Sequence, residues 1–345
     1  MTIRTIGIDL GKTVFHLVGL DEHGAVACKK RFSRPQLLAF AANVPACLIG
    51  MEACCGAHCL GRALAAQGHQ VRLIPAQVVR PFVKSNKNDD NDAEAIAEAV
   101  QRPTMRSVAI KSEDQLDLQA AHRVRDGLVA RRTGVVNQIR AFLLERGLTF
   151  RAGRAWLGRQ LPTILDAAAA TLTPLLLRLL RQLWEEWKRL DQEIETVSKE
   201  IELVAQADAA CQRLQQIPGV GPLVATALVA AIGKGTAFRK GREFAAWLGL
   251  VPRQHSTGGK AKLLGISKRG NAYLRQLFIH GARSILSQKR RDKYAFSAWM
   301  SALEGRVHRN VLVVATANKL ARIAWAVLAR GEAYHWPGAP QAQPA

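Results

Sequence analysis

The sequence predicts an α/β domain at the N-terminus, then a helical coiled-coil segment, then a mainly α C-terminal domain. Three observations carry this. Apolar strand patterns alternate with helical patterns over residues 5–74, a heptad seam runs from Leu176 to Val204, and long apolar helical runs flank a Gly/Ser/Lys-rich stretch near the C-terminus. The expected partition is 1–150, 151–205 and 206–335, with a tail at 336–345 rich in Pro, Ala and Gln and expected to lack fixed structure.

Thr5 to Leu10 alternates and is rich in Ile, as a central strand should be. A second strand, Val14 to Leu20, reaches the turn Asp21-Glu22-His23-Gly24, and a third runs from Ala25 to Phe32. Pro35 opens a helix to Asn43. Cys47 to Met51 is a short buried-strand pattern ending at Glu52, Gly56 to Gln67 reads as a helix, and Gln70 to Ile74 as a strand. Three meandering strands followed by alternating helix and strand is the order of a ribonuclease H-like domain. Gly11-Lys12-Thr13 does not make a P-loop, because Ile6 stands where the motif needs its first glycine. An actin-like ATPase would need a second similar strand-turn and a Gly-rich adenosine motif, and neither is found.

Lys87-Asn88-Asp89-Asp90-Asn91-Asp92-Ala93 runs into a helix-favouring stretch, so Asp89 and Asp92 project from one face of one turn. Acids in a first turn can simply complement the helix dipole. Asp9 and Glu52 at expected strand ends add two more, and four carboxylates in a very basic protein suggest a metal site facing phosphate. Of six cysteines, Cys54, Cys55 and Cys59 crowd with His58, but the spacing lacks paired zinc knuckles, so buried reduced thiols are expected.

The formal net charge is +22 and the pI about 10.5, which points to a polyanion. Residues 1–104 hold 12 Lys/Arg against 9 Asp/Glu, whereas the remainder holds 37 against 18, an excess of 19. Nucleic acid is the expected ligand and a membrane is not, since no long apolar run suggests a span. The first residues enter a strand pattern without an apolar signal core, so a cytoplasmic protein, nucleoid-associated in action, is expected.

From Ser112 to Arg146 the pattern is helical, with Arg123, Arg125, Arg131, Arg132 and Arg140 on or beside a face that is either solvated or in contact with phosphate. The heptad seam Leu176, Leu180, Leu183, Trp187, Leu190, Ile194, Val197, Ile201 and Val204 either folds back within the monomer or, more simply, is buried against another subunit, which predicts a dimer or tetramer. Ile217-Pro218-Gly219-Val220-Gly221-Pro222 resembles a helix-hairpin-helix turn, in which Gly219 and Gly221 approach a phosphate, or it is a plain helix connector. Arg253-Gln254-His255-Ser256-Thr257-Gly258-Gly259-Lys260 leads to Ser267-Lys268-Arg269-Gly270-Asn271. This stretch suits either a flexible basic DNA-binding loop or a hydroxyl nucleophile, with Arg253, Lys260, Lys262, Lys268 and Arg269 holding the scissile phosphate. Leu274 to Leu286 and Val311 to Leu328 read as helices, the second buried.

Taken together and in order, several short motifs make the chain resemble the DEDD insertion-sequence transposases related to the Piv/MooV DNA invertases, which are bridge-RNA-guided recombinases. They are Gly7-Ile8-Asp9-Leu10-Gly11-Lys12, Gly50-Met51-Glu52-Ala53-Cys54, Asn86-Lys87-Asn88-Asp89-Asp90-Asn91-Asp92-Ala93, Ile217-Pro218-Gly219-Val220-Gly221, Gly249-Leu250-Val251-Pro252-Arg253, Ser267-Lys268-Arg269-Gly270-Asn271 and Ala317-Asn318-Lys319-Leu320-Ala321-Arg322. The resemblance implies a RuvC-like N-terminal domain, a coiled coil and a C-terminal transposase domain with a nucleophilic serine. It implies a tetrad of Asp9, Glu52, Asp89 and Asp92 holding Mg²⁺ or Mn²⁺, with Asp90 outside it. Its serine precedes a glycine; here Thr257 precedes Gly258 and Ser256 lies one further back. Ser256 is chosen because an unbranched hydroxyl attacks a crowded phosphate more easily, Thr257 is the alternative, and Ser267 is third. Donor DNA, target DNA and a noncoding bridge RNA are the implied partners, within a homo-oligomer. The rival is a Holliday-junction-type metal-dependent nuclease, in which the carboxylates activate water.

Overall fold

A computed structural model describes residues 2–83, 88–151, 153–168, 171–288, 294 and 296–335. Asn86 and Lys87 of the acidic motif and the tail 336–345 lie outside the described residues. The chain divides into two compact units, Met1–Glu113 with Gly235–Arg239, and Asp114–Lys234 with Lys240–Ala345.

The first unit is a five-stranded mixed sheet with helices on both faces. Its strands are β1 (Thr5–Leu10), β2 (Phe15–Leu20), β3 (Val26–Phe32), β4 (Leu48–Glu52) and β5 (Gln70–Ile74), in the order β3-β2-β1-β4-β5. β1 pairs antiparallel with β2, and β2 with β3, while β1-β4 and β4-β5 are parallel. The strand-period rule sorts side chains cleanly. Ile6 and Ile8 of β1, Phe15 and Leu17 of β2, and Ile49 and Met51 of β4 share a core with Leu37 of α1 (Arg34–Ala42) and Leu60 and Leu64 of α2 (Ala57–Ala66). A short helix, α3 (Ala76–Val79), leads toward α4 (Asp89–Val100), which covers the opposite face, where Val18 and Leu20 pack with Ala93 and Ala97.

Glycine decides how closely α4 lies. A Cβ on Gly7 would stand 2.1 Å from the Ala93 carbonyl oxygen and 2.5 Å from the Ala97 nitrogen. One on Gly50, the register partner of Gly7, would stand 2.8 Å from Val100 Cβ.

The second unit is mostly helical: α5 (Glu113–Leu144, begun by the last residue of the first unit), α6 (Arg154–Ala167), α7 (Pro174–Ala207), α8 (Ala209–Gln215), α9 (Pro222–Ile232), α10 (Gly241–Trp247), α11 (Ala272–Ser287), α12 (Ser297–Glu304) and α13 (Arg309–Arg330). The heptad seam forms one 34-residue helix, but its partner differs from the expectation. Leu180, Trp187, Leu190 and Ile194 are buried against Leu128, Val135, Ile139 and Leu143 of α5 and Leu157, Leu161 and Leu165 of α6. Most of the apolar stripe is thus packed within the chain, while its last residue, Val204, is 43% exposed. α13 also differs from the expected all-round burial: Val311 is 53% exposed, while Leu312, Leu320 and Ala324 are buried. It is long and apolar enough to cross a membrane by length and composition, with half of its most apolar window buried inside the protein.

Gly7→Ala is expected to destabilise the protein by about 3 kcal/mol, the upper range for forcing extra atoms into a packed interface, because the obstacle is backbone. Urea unfolding of the purified variant reads this directly.

Candidate acidic site and nucleophile hairpin

The period of two that places Gly7 and Gly50 under α4 places Asp9 and Glu52, each two residues on, on the same face of the sheet. α4 then brings its first turn, with Asp89, Asp90 and Asp92, and Asn88 caps it by accepting from the Asp90 amide at 3.1 Å. Asp89 and Asp92 lie within electrostatic reach of Asp9. Burial pushes the Asp9 carboxyl above its ordinary value, the negative charges of Asp92 and Asp89 push it further, and His16 pulls it back. Glu52 and Asp9 both act on the thiol of Cys54, which burial raises first. Among the described residues no group of three or more His, Cys, Asp or Glu side chains is gathered tightly enough to hold a metal ion. The donor chemistry nevertheless suits a hard cation: the set is all carboxylate oxygen, and its mutual repulsion at Asp9 is what a bound cation would relieve.

His16 was missed in the sequence. It is the register partner of Asp9 and so shares its face, with Nδ1 2.8 Å from Asp90 Oδ1 and Nε2 3.3 Å from Asp89 Oδ2. The alternation of β2, whose Phe15 and Leu17 point to the other core, puts His16 on the α4 face, but only the register with β1 sets it beside Asp9. The cysteine expectation is corrected: Cys54, Cys55 and Cys59 are exposed, because the first two sit in the turn before α2. His58 Nδ1 accepts from the Lys111 amide at 3.1 Å.

The stretch expected as a flexible loop is a β-hairpin, β6 (Pro252–Thr257) and β7 (Lys260–Ile266), turned by Gly258 and Gly259 at φ +55° and +78°. Every residue of β6 is exposed. The register pairs Thr257 with Lys260, His255 with Lys262, Ser256 with Ala261 and Gln254 with Leu263. Thr257, His255, Lys260 and Lys262 therefore share one face, and Ser256 lies on the other, its Oγ accepting from Gln254 Nε2 at 2.6 Å. Lys268 and Arg269 sit at the hairpin's base. There a Cβ on Gly249 would meet the Arg269 carbonyl at 2.3 Å and one on Gly270 the Trp247 carbonyl at 1.7 Å. The amides of Ser267 and Lys268 donate to Val251 and Gly249 carbonyls at 2.8 and 3.1 Å, and Arg275 Nη1 donates to the Leu248 carbonyl at 2.9 Å. The motifs around Gly249 and Gly270 thus clamp a root from which the hydroxyl-bearing tip projects.

Two family models match the chain, one described as "Transposase" over residues 6–146 and one as "Transposase IS116/IS110/IS902 family" over residues 211–296. A "Probable family 20 transposase" of Pseudomonas aeruginosa is 46% identical, covering 98% of this chain and all of the relative. The chain belongs to the IS116/IS110/IS902 transposase family. The transposases for insertion sequence elements IS1328 of Yersinia enterocolitica and IS1111A of Coxiella burnetii are each 45% identical over 96% of this chain, and over 98% and 91% of their own lengths.

For this transposase the basic residues expected on nucleic acid divide into two kinds. Arg123 and Arg131 are exposed on α5, as are Arg253, Lys260 and Lys262 on the hairpin. Arg132 is engaged internally, donating to Asp191 Oδ1 at 2.7 Å, an acid it shares with Arg154. Gly219 has a packing reason for its identity: φ is +78° and a Cβ would meet the Gly281 carbonyl of α11 at 2.7 Å, whereas Gly221 at the N-cap of α9 has open space. Beneath them His122, buried and pushed down to about 4 by burial, links Tyr273 Oη at 3.0 Å and Thr226 Oγ1 at 2.9 Å. The end of β7 also walls a groove of about 940 Å³ whose charged lining residues, Lys240, Arg242, Lys319 and Arg322, are all cations.

Asp9→Asn should raise stability at pH 7. The folded Asp9 pKa lies above the unfolded value, so the wild type loses stability as pH rises from about 3.8 through the folded pKa, and the asparagine variant does not. Thermal melts at pH 3 and pH 7 should show the gap between the two proteins opening only at the higher pH. In DNA titrations across salt, Arg131→Ala should lower the slope of log K against log salt by about 1. Arg132→Ala should leave that slope alone and cost about 2 kcal/mol of stability, as expected for loss of a charged hydrogen bond.

Proposed function

We propose that this transposase cuts and rejoins DNA without hydrolysis, using a hydroxyl at the hairpin tip as nucleophile and the tetrad Asp9, Glu52, Asp89 and Asp92 as ligands for Mg²⁺ or Mn²⁺. The first unit is read as a ribonuclease H-like, RuvC-like domain, which the strand order β3-β2-β1-β4-β5 supports. The observation that carries the proposal is the matched pair of Gly-x-acid steps, Gly7-Ile8-Asp9 and Gly50-Met51-Glu52, lying side by side under the helix that holds Asp89 and Asp92.

A divalent ion held by these carboxylates would stabilise negative charge on the oxygens at the phosphorus. The chain's own groups do the rest. The Ser256 oxygen attacks phosphorus, its hydrogen passes to solvent or a nearby base, and the bond from phosphorus to a deoxyribose oxygen breaks, that oxygen leaving as a hydroxyl. In the second step a deoxyribose hydroxyl of the partner strand attacks the phosphoserine and releases Ser256. One phosphodiester is exchanged for another, so no ATP is needed. Ser256 is preferred for its unbranched hydroxyl. Thr257 is the alternative, and its shared face with Lys260 and Lys262 supports that choice of phosphate side.

Arg123, Arg131 and Arg253 would hold backbone phosphates of donor and target DNA and of a bridge RNA, with base pairing carrying the sequence information. The acids and the hairpin belong to different units, so they could be supplied by different protomers of a dimer or tetramer.

Purified protein with Mg²⁺, the RNA encoded with its element and labelled DNA should give a protease-sensitive covalent adduct on a denaturing gel. Ser256→Ala should remove it and Thr257→Ala should not; the reverse pattern would assign Thr257. Free nicked ends without any adduct, lost in Asp9→Asn, would replace the recombinase with a metal-dependent nuclease.

A further inference from the structure

We infer that His16 and Asp90 form a latch that positions the acidic first turn of α4 over Asp9, so that this pair sets how well the tetrad holds its cation. The inference rests on the acidic-site reading above and adds two residues that stand outside the tetrad.

The argument begins with the sheet. His16 lies directly across from Asp9 in the β1-β2 register, and its side chain is only 12% exposed. A polar ring that buried requires partners. Both come from one turn of α4, 73 and 74 residues away: Asp90 Oδ1 at 2.8 Å from Nδ1, and Asp89 Oδ2 at 3.3 Å from Nε2. An ionised carboxylate only accepts, so Nδ1 carries the hydrogen in the shorter bond. Asp90 is held from its other side by the cap, where its amide donates to Asn88 Oδ1 at 3.1 Å. A second strap reaches the next turn from β3, with Lys29 Nζ 3.0 Å from Glu94 Oε2.

The helical spacing explains why Asp90 is the right residue to hold. Asp89 and Asp92 are three apart and so share one face of the turn. Asp90 projects about 100° round the helix from Asp89. Fixing it to the sheet through His16 therefore fixes the rotation of the turn, and with it the direction of the two acids. Without the latch, three neighbouring acids repel one another at the frayed end of a helix whose interior is anchored by Ala93, Ala97 and Ile96. Partners that orient metal-binding side chains are typically worth 10- to 100-fold in metal affinity. His16 touches neither DNA nor a reacting atom in this scheme, and is a positioning residue.

The test uses the full-length protein and Mn²⁺ as the probe, with free Mn²⁺ read by electron paramagnetic resonance. His16→Ala and Asp90→Ala should each weaken Mn²⁺ binding about 10-fold. The double variant should be no weaker than His16→Ala alone, because His16→Ala already removes the bond to Asp90. Asp90→Asn, which keeps an oxygen acceptor for Nδ1–H, should recover most of the affinity. Hydrogen exchange on the metal-free protein supplies a second readout: in His16→Ala the amides of Asp92 to Ala95 should exchange faster, with those of β1 unchanged. Wild-type Mn²⁺ affinity in His16→Ala, or additive losses in the double variant, would overturn the latch. Mn²⁺ binding that survives Asp9→Asn would sink the acidic-site reading instead, and the exchange result would then decide the latch by itself.

Discussion

The first unit depends on one close approach, that of the α4 backbone to β1 and β4 across Gly7 and Gly50. An ordinary helix-on-sheet packing keeps side chains between the two layers. Here the position of Ala93 and Ala97 leaves no room even for a methyl on Gly7. The consequence reaches the chemistry, since the two glycines are each followed two residues later by an acid on the same face. Drawing the helix down onto the glycines buries Asp9, which pushes its carboxyl above the ordinary value, and brings Asp89 and Asp92 within electrostatic reach to push it further. Gathering like charges at a partly buried carboxylate costs stability locally.

The second unit is built differently, around long helices and one exposed hairpin. Its long helices bury each other's apolar stripes, and α11 accepts the Gly219 turn through a glycine of its own, Gly281. The hairpin then rises from a root fastened by backbone bonds and by Arg275, while its tip stays open to solvent. The groove beside the hairpin carries only cations among its charged lining residues, so the surroundings favour a polyanion on that side.

Most of the first unit was legible because its strands alternate and its breaks fall at turns: β1 and β5 match their expected spans, and the other strands differ by a residue at one end. The acids were legible as residue types at strand and helix ends. His16 was not, because a histidine in a strand looks the same whichever face it takes until the pairing register is known. The hairpin was read as a loop because Lys, Gly and Ser dilute its alternation, and no apolar face marks a strand that is exposed on both sides.

The amino-acid sequence by itself determined the order of elements, the strongly basic second half and the short motifs that place the chain among insertion-sequence transposases. Periodicity, charge and turn chemistry are local properties, and each is complete within a window of a few residues. Only the tertiary structure decided which surfaces those elements face. It gave the heptad seam to α5 and α6, engaged Arg132 with Asp191, and put Ser256 and Thr257 on opposite faces of a hairpin. Each of these depends on a contact between residues distant in sequence or on a pairing register. A one-residue shift in register reverses every side chain in a strand while leaving its local pattern untouched.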